Sequence, residues 1–480
     1  MNKKNYFAII CCIFLFSFLN AQSFLSVELL AHRTPAQMQA TALNLTTFTF
    51  GANAYKVTYE TKDLLGNTVV VSGLLAVPDD LTKIYPLACY QHGTAGDKNG
   101  VPSRLNVDAD IAISLAGKGY VTVAPDLLGL GDHIGIHPYV HADSEAWVAA
   151  DMLIAVREYA ASNGIYLNDQ VFLTGYSQGG HSAMALHREL ELNLSNEFTV
   201  TAASPMSGPY SIAEVMNDLI QSGEIYGRPA YLIYTFISYQ EVYGNIYSSI
   251  DAAFKAPYRQ VVEDFSNNNI SLTDLDNTLI NLLQANEGAV IPVKVLEDSY
   301  IEAVASDTNH PMNVAMRANN VYDWAPQAPT RLFYCQADEE VPYENSILAE
   351  TTMNDNGAND VQAIDVNSSL NHYFCALFAS IETTKFFADY QTIEDAPVAT
   401  KEIDVIRLEL FPNPATEQVI LKNLPENGEV QITDMSGHLK MKQPISSGDN
   451  LLWIGDLPSG LYLVRSISPY SIRSQKLVIH

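Results

Sequence analysis

Hydrophobic and polar positions change period several times along this 480-residue chain, and each change marks an element. After Lys3 and Lys4 the run Phe7 to Leu19 is apolar and ends at Asn20-Ala21-Gln22. It is too short to span a bilayer and stops on small residues, so residues 1–21 read as a secretory signal peptide cleaved near Ala21. Strand-like runs at Tyr55–Glu60 and Thr68–Val77, joined by Leu65-Gly66-Asn67, predict a hairpin. From residue 85 onward, strands alternate with helices. Strands are predicted at Tyr85–Gln91, Tyr120–Pro125, Val171–Tyr176 and Val200–Met206, and helices at Ala109–Lys118 and Asp143–Ser162. A further helix follows the third of these strands, where Ala183, Met184, Leu186 and Leu190 recur at helical spacing. Such alternation predicts an α/β fold, a mostly parallel sheet flanked by helices on both faces.

The alternation stops near Ser211 and resumes with strands at Arg331–Gln336 and Val361–Val366 and a last helix at Ala376–Tyr390. Residues 212–327 between them lean toward helix and carry Tyr226, Tyr231, Tyr234, Tyr239, Tyr243, Tyr247 and Tyr258. A structureless loop of that length is uncommon, so this is a helical insertion. Its aromatics serve either a lid over an apolar substrate pocket or the core of a plain helical subdomain. Residues 391–402 are polar and read as a linker. Residues 403–480 show short alternating runs at Gln418–Leu421, Glu429–Thr433, Leu461–Val464 and Gln475–Ile479, separated by Gly and Pro, which predicts a small C-terminal β-sandwich.

Length and charge narrow the picture. The chain is long enough for two or three domains, here a main domain over 22–390, the linker, and the sandwich. Its formal net charge is -28, and residues 403–480 hold seven Lys+Arg against eight Asp+Glu, so the acidity lies in the main domain. A surface of that sign repels nucleic acid and anionic membranes. No segment beyond the signal is long and apolar enough to be transmembrane. After signal removal three cysteines remain, Cys89, Cys335 and Cys375, too few for a disulfide framework and spaced for no zinc site. His133, His137 and His141 recur every four residues, but Gly135 and Pro138 interrupt any helix that would gather them on a metal, so this loop reads as a pocket rim.

The chemistry concentrates at Gly175-Tyr176-Ser177-Gln178-Gly179, set between a strand and a helix. Glycines on either side of Ser177 permit a turn too tight for side chains, which lifts the hydroxyl above the sheet as a nucleophile elbow; the plainer alternative is a serine capping its helix. A serine hydroxyl needs a base, an orienting acid and an oxyanion site. Asp338 is the candidate acid, at the end of Phe333-Tyr334-Cys335-Gln336-Ala337, with Glu339 and Glu340 as competitors and a turn-forming role as the alternative. His372, between the last strand and the last helix, is the candidate base; His181 and His310 read as packed or surface histidines. The Gln178 N–H and the Thr94 N–H, with Gly93 as the alternative to Thr94, are the candidate oxyanion donors, and His92 orients that loop.

Over roughly residues 54–390 these segments, together with Asp126-Leu127-Leu128-Gly129-Leu130-Gly131-Asp132, resemble the α/β-hydrolase family, and within it secreted lipase-like and esterase members. The resemblance implies a Ser177–His372–Asp338 triad, an acyl-enzyme mechanism, no cofactor, and a small-molecule or lipid ester as substrate. Cys335 and Cys375 each lie three residues from a proposed triad member, at ends that this fold would bring together, so a disulfide between them is expected. The rival enzyme class is a serine peptidase of the prolyl-oligopeptidase type, against which the short N-terminal segment leaves no room for a propeller. The rival non-enzyme is a binding protein on a dead hydrolase scaffold, which a missing triad member would favour.

The terminal module resembles the sorting domain of the type IX secretion system through Phe411-Pro412-Asn413-Pro414, Leu457-Pro458-Ser459-Gly460-Leu461-Tyr462 and Lys476-Leu477-Val478-Ile479. The resemblance implies export across the outer membrane to the cell surface or medium, with that secretion machinery as partner. A carbohydrate-binding sandwich is the alternative, which the isolated Trp453 does not support.

Overall fold

Ten strands form the main sheet, and the sequence of their pairings decides where a site can sit. The computed structural model describes residues 24–397, 408–424, 427–435, 437–468 and 472–480; the expected signal peptide and most of the expected linker lie outside them. Two compact units divide at Ala396 and Pro397.

In the first unit the strands are β1 (Phe24–Arg33), β2 (Ala52–Lys62), β3 (Thr68–Pro78), β4 (Lys83–Gln91), β5 (Val121–Pro125), β6 (Tyr166–Tyr176), β7 (Thr199–Met206), β8 (Thr330–Tyr334), β9 (Val361–Asp365) and the short β10 (Glu394–Asp395). Their order is β1-β2-β3-β5-β4-β6-β7-β8-β9, with β10 paired to the start of β4. Pairings are antiparallel from β1 to β5 and parallel from β5 through β9. The chain passes from β4 to β5 on one side and then to β6 on the other. The carboxyl ends of β4 and β6 therefore flank a switch point, where open α/β sheets bind their ligands.

Alternate residues of β4 serve opposite faces. Leu87 and Cys89 join one core with Val148 and Leu153 of helix Ala142–Ser162 and Leu186 of helix Gln178–Leu192. Ala88 and Tyr90 join the other with Ile113 of helix Val107–Gly117 and Phe387 of helix His372–Ala388. This period of two, buried on both sides, is what a central strand requires.

Three differences from the sequence reading stand out. Strand β1 and helix Pro35–Thr41 precede the hairpin, and helix Glu344–Asp355 lies between β8 and β9; none was expected. The last helix begins at His372, one turn earlier than Ala376, because Asn371 caps it by accepting from the Phe374 N–H. The chain also does not leave the first unit at residue 391. Gln391 donates to the carbonyls of Lys118 and Gly119, and the Ala396 N–H to that of Thr82.

Between β7 and β8 the insertion is helical, with its longest helices at Pro229–Tyr243 and Leu272–Glu287. It builds its own core, in which Tyr234, Tyr239 and Tyr258 pack with Leu275, Leu279 and Leu283. Among the described residues no helix is long and apolar enough to cross a membrane.

The second unit holds two antiparallel sheets, one of three strands and one of four. Val419 and Leu421 of the first pack with Val430, Ile432, Val464 and Leu477 of the second in one core. Trp453 is half exposed.

Candidate active site

Ser177 directly follows β6 and stands at the N-cap of the next helix with φ +61 and ψ -125, a left-handed conformation that a non-glycine residue adopts only under constraint. The constraint comes from the flanks. A Cβ on Gly175 would strike the Gly179 carbonyl, and one on Gly179 would strike the Gln91 carbonyl. The Ser177 N–H donates to Met206 O at 3.1 Å, tying the elbow to β7. The side chain of Ser177 makes no hydrogen bond to another described residue and lines the cavities above the sheet.

His372 and Asp338 meet from two loops. The His372 Nδ1–H donates to Asp338 Oδ2 at 2.7 Å. The other carboxylate oxygen, Oδ1, accepts from the Glu340 and Val341 N–H groups at 3.0 and 2.8 Å. Asp338 is thus a turn former and the partner of His372 at once, one oxygen for each. Glu339 takes a different place, accepting from the His372 backbone N–H at 2.9 Å, where a helix N-terminus favours a negative group. Tyr176 donates its hydroxyl to the His372 carbonyl at 2.6 Å. A disulfide, Cys335–Cys375, joins the two segments.

Glu340 was weighed only as a rival acid, and the structure gives it another position. Its Oε2 lies 4.0 Å from His372 Nε2, the nitrogen that faces away from Asp338. Arg228 Nε donates to Glu340 Oε1 at 2.8 Å and the Tyr231 hydroxyl to Oε2 at 3.0 Å, both from the insertion. Burial by itself disfavours the protonated imidazole of His372. The bond to Asp338 and the charges of Asp338, Glu340 and Glu339 outweigh it, so the His372 pKa is raised above 6.5.

On the other side of Ser177, the Gly93 N–H donates to Asp108 Oδ1 at 3.2 Å and is engaged there. The Thr94 and Gln178 N–H groups make no hydrogen bond to another described residue. His92, fully buried, lies 2.7 Å through Nδ1 from the Gly93 carbonyl and 3.2 Å through Nε2 from the Asp126 carbonyl, and so fixes this loop to the end of β5.

Behind the elbow is a buried network that the sequence reading missed. Gln178 Nε2 donates to Glu145 Oε1 at 2.9 Å and to His137 Nε2 at 2.7 Å. Glu145 Oε2 lies 2.7 Å from His181 Nδ1. His137 donates through Nδ1 to the Leu128 carbonyl, which leaves Nε2 to accept. Burial is the main reason the His137 pKa is pushed down to about 4, so this ring is neutral. Only the Gly-x-Ser-x-Gly pattern that contains Gln178 is visible in sequence; its partners lie 33 and 41 residues away. The His133, His137 and His141 series has no common target: His133 accepts from the Gly129 N–H, and His141 caps helix Ala142–Ser162. Among the described residues no group of three or more His, Cys, Asp or Glu is placed to hold a metal ion.

The fold of the first unit has counterparts among solved structures. The cell wall degrading esterase LipA of Xanthomonas oryzae is 27% identical, with a TM-score of 0.69, over 77% of this chain and 99% of that one. A candidate hydrolase of Legionella pneumophila is also 27% identical, with a TM-score of 0.69, over 76% and 98%. The chain has the α/β-hydrolase fold. Lipase A of Candida antarctica, in its closed state, shares that fold at 15% identity and a TM-score of 0.54, over 76% and 81%. C-terminal to the α/β-hydrolase unit in sequence, residues 409–480 match the family model described as "Secretion system C-terminal sorting domain", the type IX sorting module. No curated protein is significantly similar to the chain.

Proposed function

We propose that the chain is an exported serine hydrolase that cleaves carboxylic esters through an acyl-enzyme. His372 Nε2 takes the Ser177 proton while Oγ attacks the ester carbonyl. The Gln178 and Thr94 N–H groups hold the oxyanion, and Asp338 keeps the imidazole in the tautomer that leaves Nε2 free to accept. The intermediate collapses when the alcohol takes the proton from His372. Water, activated by the same nitrogen, then releases the acid and restores Ser177.

The observation that carries this reading is the 2.7 Å His372–Asp338 bond facing the cavity that Ser177 lines, with Ser177 held at positive φ. Likeness to the LipA esterase supports ester rather than peptide chemistry. A cavity with about 970 Å³ of empty space out to its opening runs from Ser177 and Gln178 into the insertion, walled by Ile212, Met216, Phe236 and Met312, which suits an apolar acyl group and gives the insertion a lid-like role. The sorting domain supports export through the type IX machinery to the cell surface or medium, following Sec-type cleavage of the N-terminal segment.

A chromogenic ester panel with peptide anilides as controls tests this. Ester turnover lost in Ser177→Ala is the expected result, by a factor on the order of a millionfold as for loss of a serine triad member. Anilide turnover without ester turnover would contradict it.

A further inference from the structure

Two cavities meet at Ser177, and among the described residues His372 lines only one of them. The first is the apolar channel into the insertion, on the Gln178 side. The second holds about 1810 Å³ of empty space out to its mouth and runs between helices Val107–Gly117 and His372–Ala388. Because the departing alcohol takes its proton from His372 Nε2, it leaves on the side that this imidazole faces. We propose that the second cavity is the subsite for the alcohol part of the ester, and that it takes a bulky, uncharged, apolar alcohol. This rests on the ester-hydrolase reading above.

The mouth of the cavity carries the argument. Leu43, Val107, Tyr373 and Phe374 are 65%, 66%, 72% and 55% exposed, and all four line this cavity although they come from three separate elements. Large apolar side chains left in water around one opening mark a binding surface. Tyr373 and Phe374 directly follow the base, with ring centroids 5.4 Å apart at 81°, an edge-to-face pair that presents flat apolar area to whatever enters. Ile111 and Leu377 continue that lining inward.

The charges lining the cavity exclude the other chemistry. Lys118 is tied to Thr46 Oγ1 at 2.7 Å and sits over the Phe48 ring. Arg228 is held by Glu340 and Asp276. Asp108, Asp110 and Glu340 outnumber Lys118 and Arg228 on the same walls, so a phosphorylated or carboxylated alcohol meets a net negative lining.

The test holds the acyl group fixed as butanoate and varies the alcohol from methyl to benzyl to naphthylmethyl, using the full exported chain and monomeric substrate. For the wild type, kcat/KM for the naphthylmethyl ester should exceed that for the methyl ester by about tenfold or more, given the apolar area covered. In Tyr373→Ala/Phe374→Ala, with folding checked by thermal melting, that ratio should fall at least about fivefold. Leu43→Ser/Val107→Ser should lower it in the same sense. A ratio near one in the wild type, or a ratio unchanged in both variants, overturns the proposal. So does a rate that rises only when substrate aggregates, since the apolar ring would then meet a lipid surface instead. Failure of the ester-hydrolase reading looks different: no butanoate ester is turned over at all.

Discussion

Glu340 Oε2 stands 4.0 Å from His372 Nε2, while Asp338 Oδ2 holds Nδ1 of the same ring at 2.7 Å. The imidazole thus lies between two carboxylates, and the second is anchored by Arg228 and Tyr231 of the insertion. On the proposed function, the pH behaviour of His372 and the position of the insertion should be coupled through this one side chain.

A base must be neutral to accept a proton, and the His372 pKa is raised, so activity should fall as pH drops through a value above 6.5. Glu340→Gln removes one of the charges that favour the imidazolium. The acid limb of kcat/KM should then move to lower pH. Arg228→Gln removes the cation that offsets Glu340 and should move the limb up. Shifts in the same direction, or none, in folded variants would refute the coupling; the pH–rate profile checks it.

Behind Ser177, the buried pair of Glu145 and His181 and the bond from Gln178 to Glu145 should matter for both folding and rate. Glu145→Ala leaves His181 Nδ1 without its acceptor and the Gln178 amide with His137 as its remaining one. A loss of about 3–5 kcal/mol in stability is expected, together with lower kcat at little-changed KM as the Gln178 N–H loses its fixed position. Chemical denaturation and steady-state kinetics measure the two effects.

The same network should contribute to the acid sensitivity of the first unit. His137 has a folded pKa near 4 against 6.5 when exposed, so the unfolded chain binds the proton first as pH falls. Its contribution is complete above pH 6.5 and is lost between there and about 4, on the order of 3 kcal/mol. Glu145 acts in the same direction. Burial raises its pKa, but His181, Gln178 and His137 together lower it below 4.5, so its contribution is present above that value and is lost on further acidification. Melting temperature measured against pH should decline from neutrality downward, and less so in His137→Asn.

Reduction of the Cys335–Cys375 bond should expose two further thiols besides Cys89 in denatured protein that lacks residues 1–21. With a sequence separation of 40, loop closure assigns the bond about 4 kcal/mol. Cys335→Ser/Cys375→Ser should melt lower and lose rate, because the bond ties the Asp338 turn to the His372 helix. Thiol titration and calorimetry check both.

Local pattern explains how much of this could be read from sequence. The parallel strands were legible because they are apolar on both faces, and the elbow because three glycines must lie where no Cβ fits. Strand β1 was not, since it is an edge strand whose residues are mostly exposed and show no alternation. Helix Glu344–Asp355 hid because its buried face is Asn345, Ser346, Ala349 and Met353, which reads as polar. The start of the last helix was in fact written at Asn371, a capping residue. The roles of Glu340, Glu145 and His137 had no local signal. They come from contacts between residues far apart in the chain, which only the folded sheet brings together.

The most direct measurement is covalent labelling of the full chain with a fluorophosphonate, followed by peptide mass mapping. The account predicts stoichiometric modification at Ser177, abolished in Ser177→Ala and slowed in His372→Ala. A folded protein that stays unlabelled while hydrolysing esters, or is labelled at another residue, would contradict it.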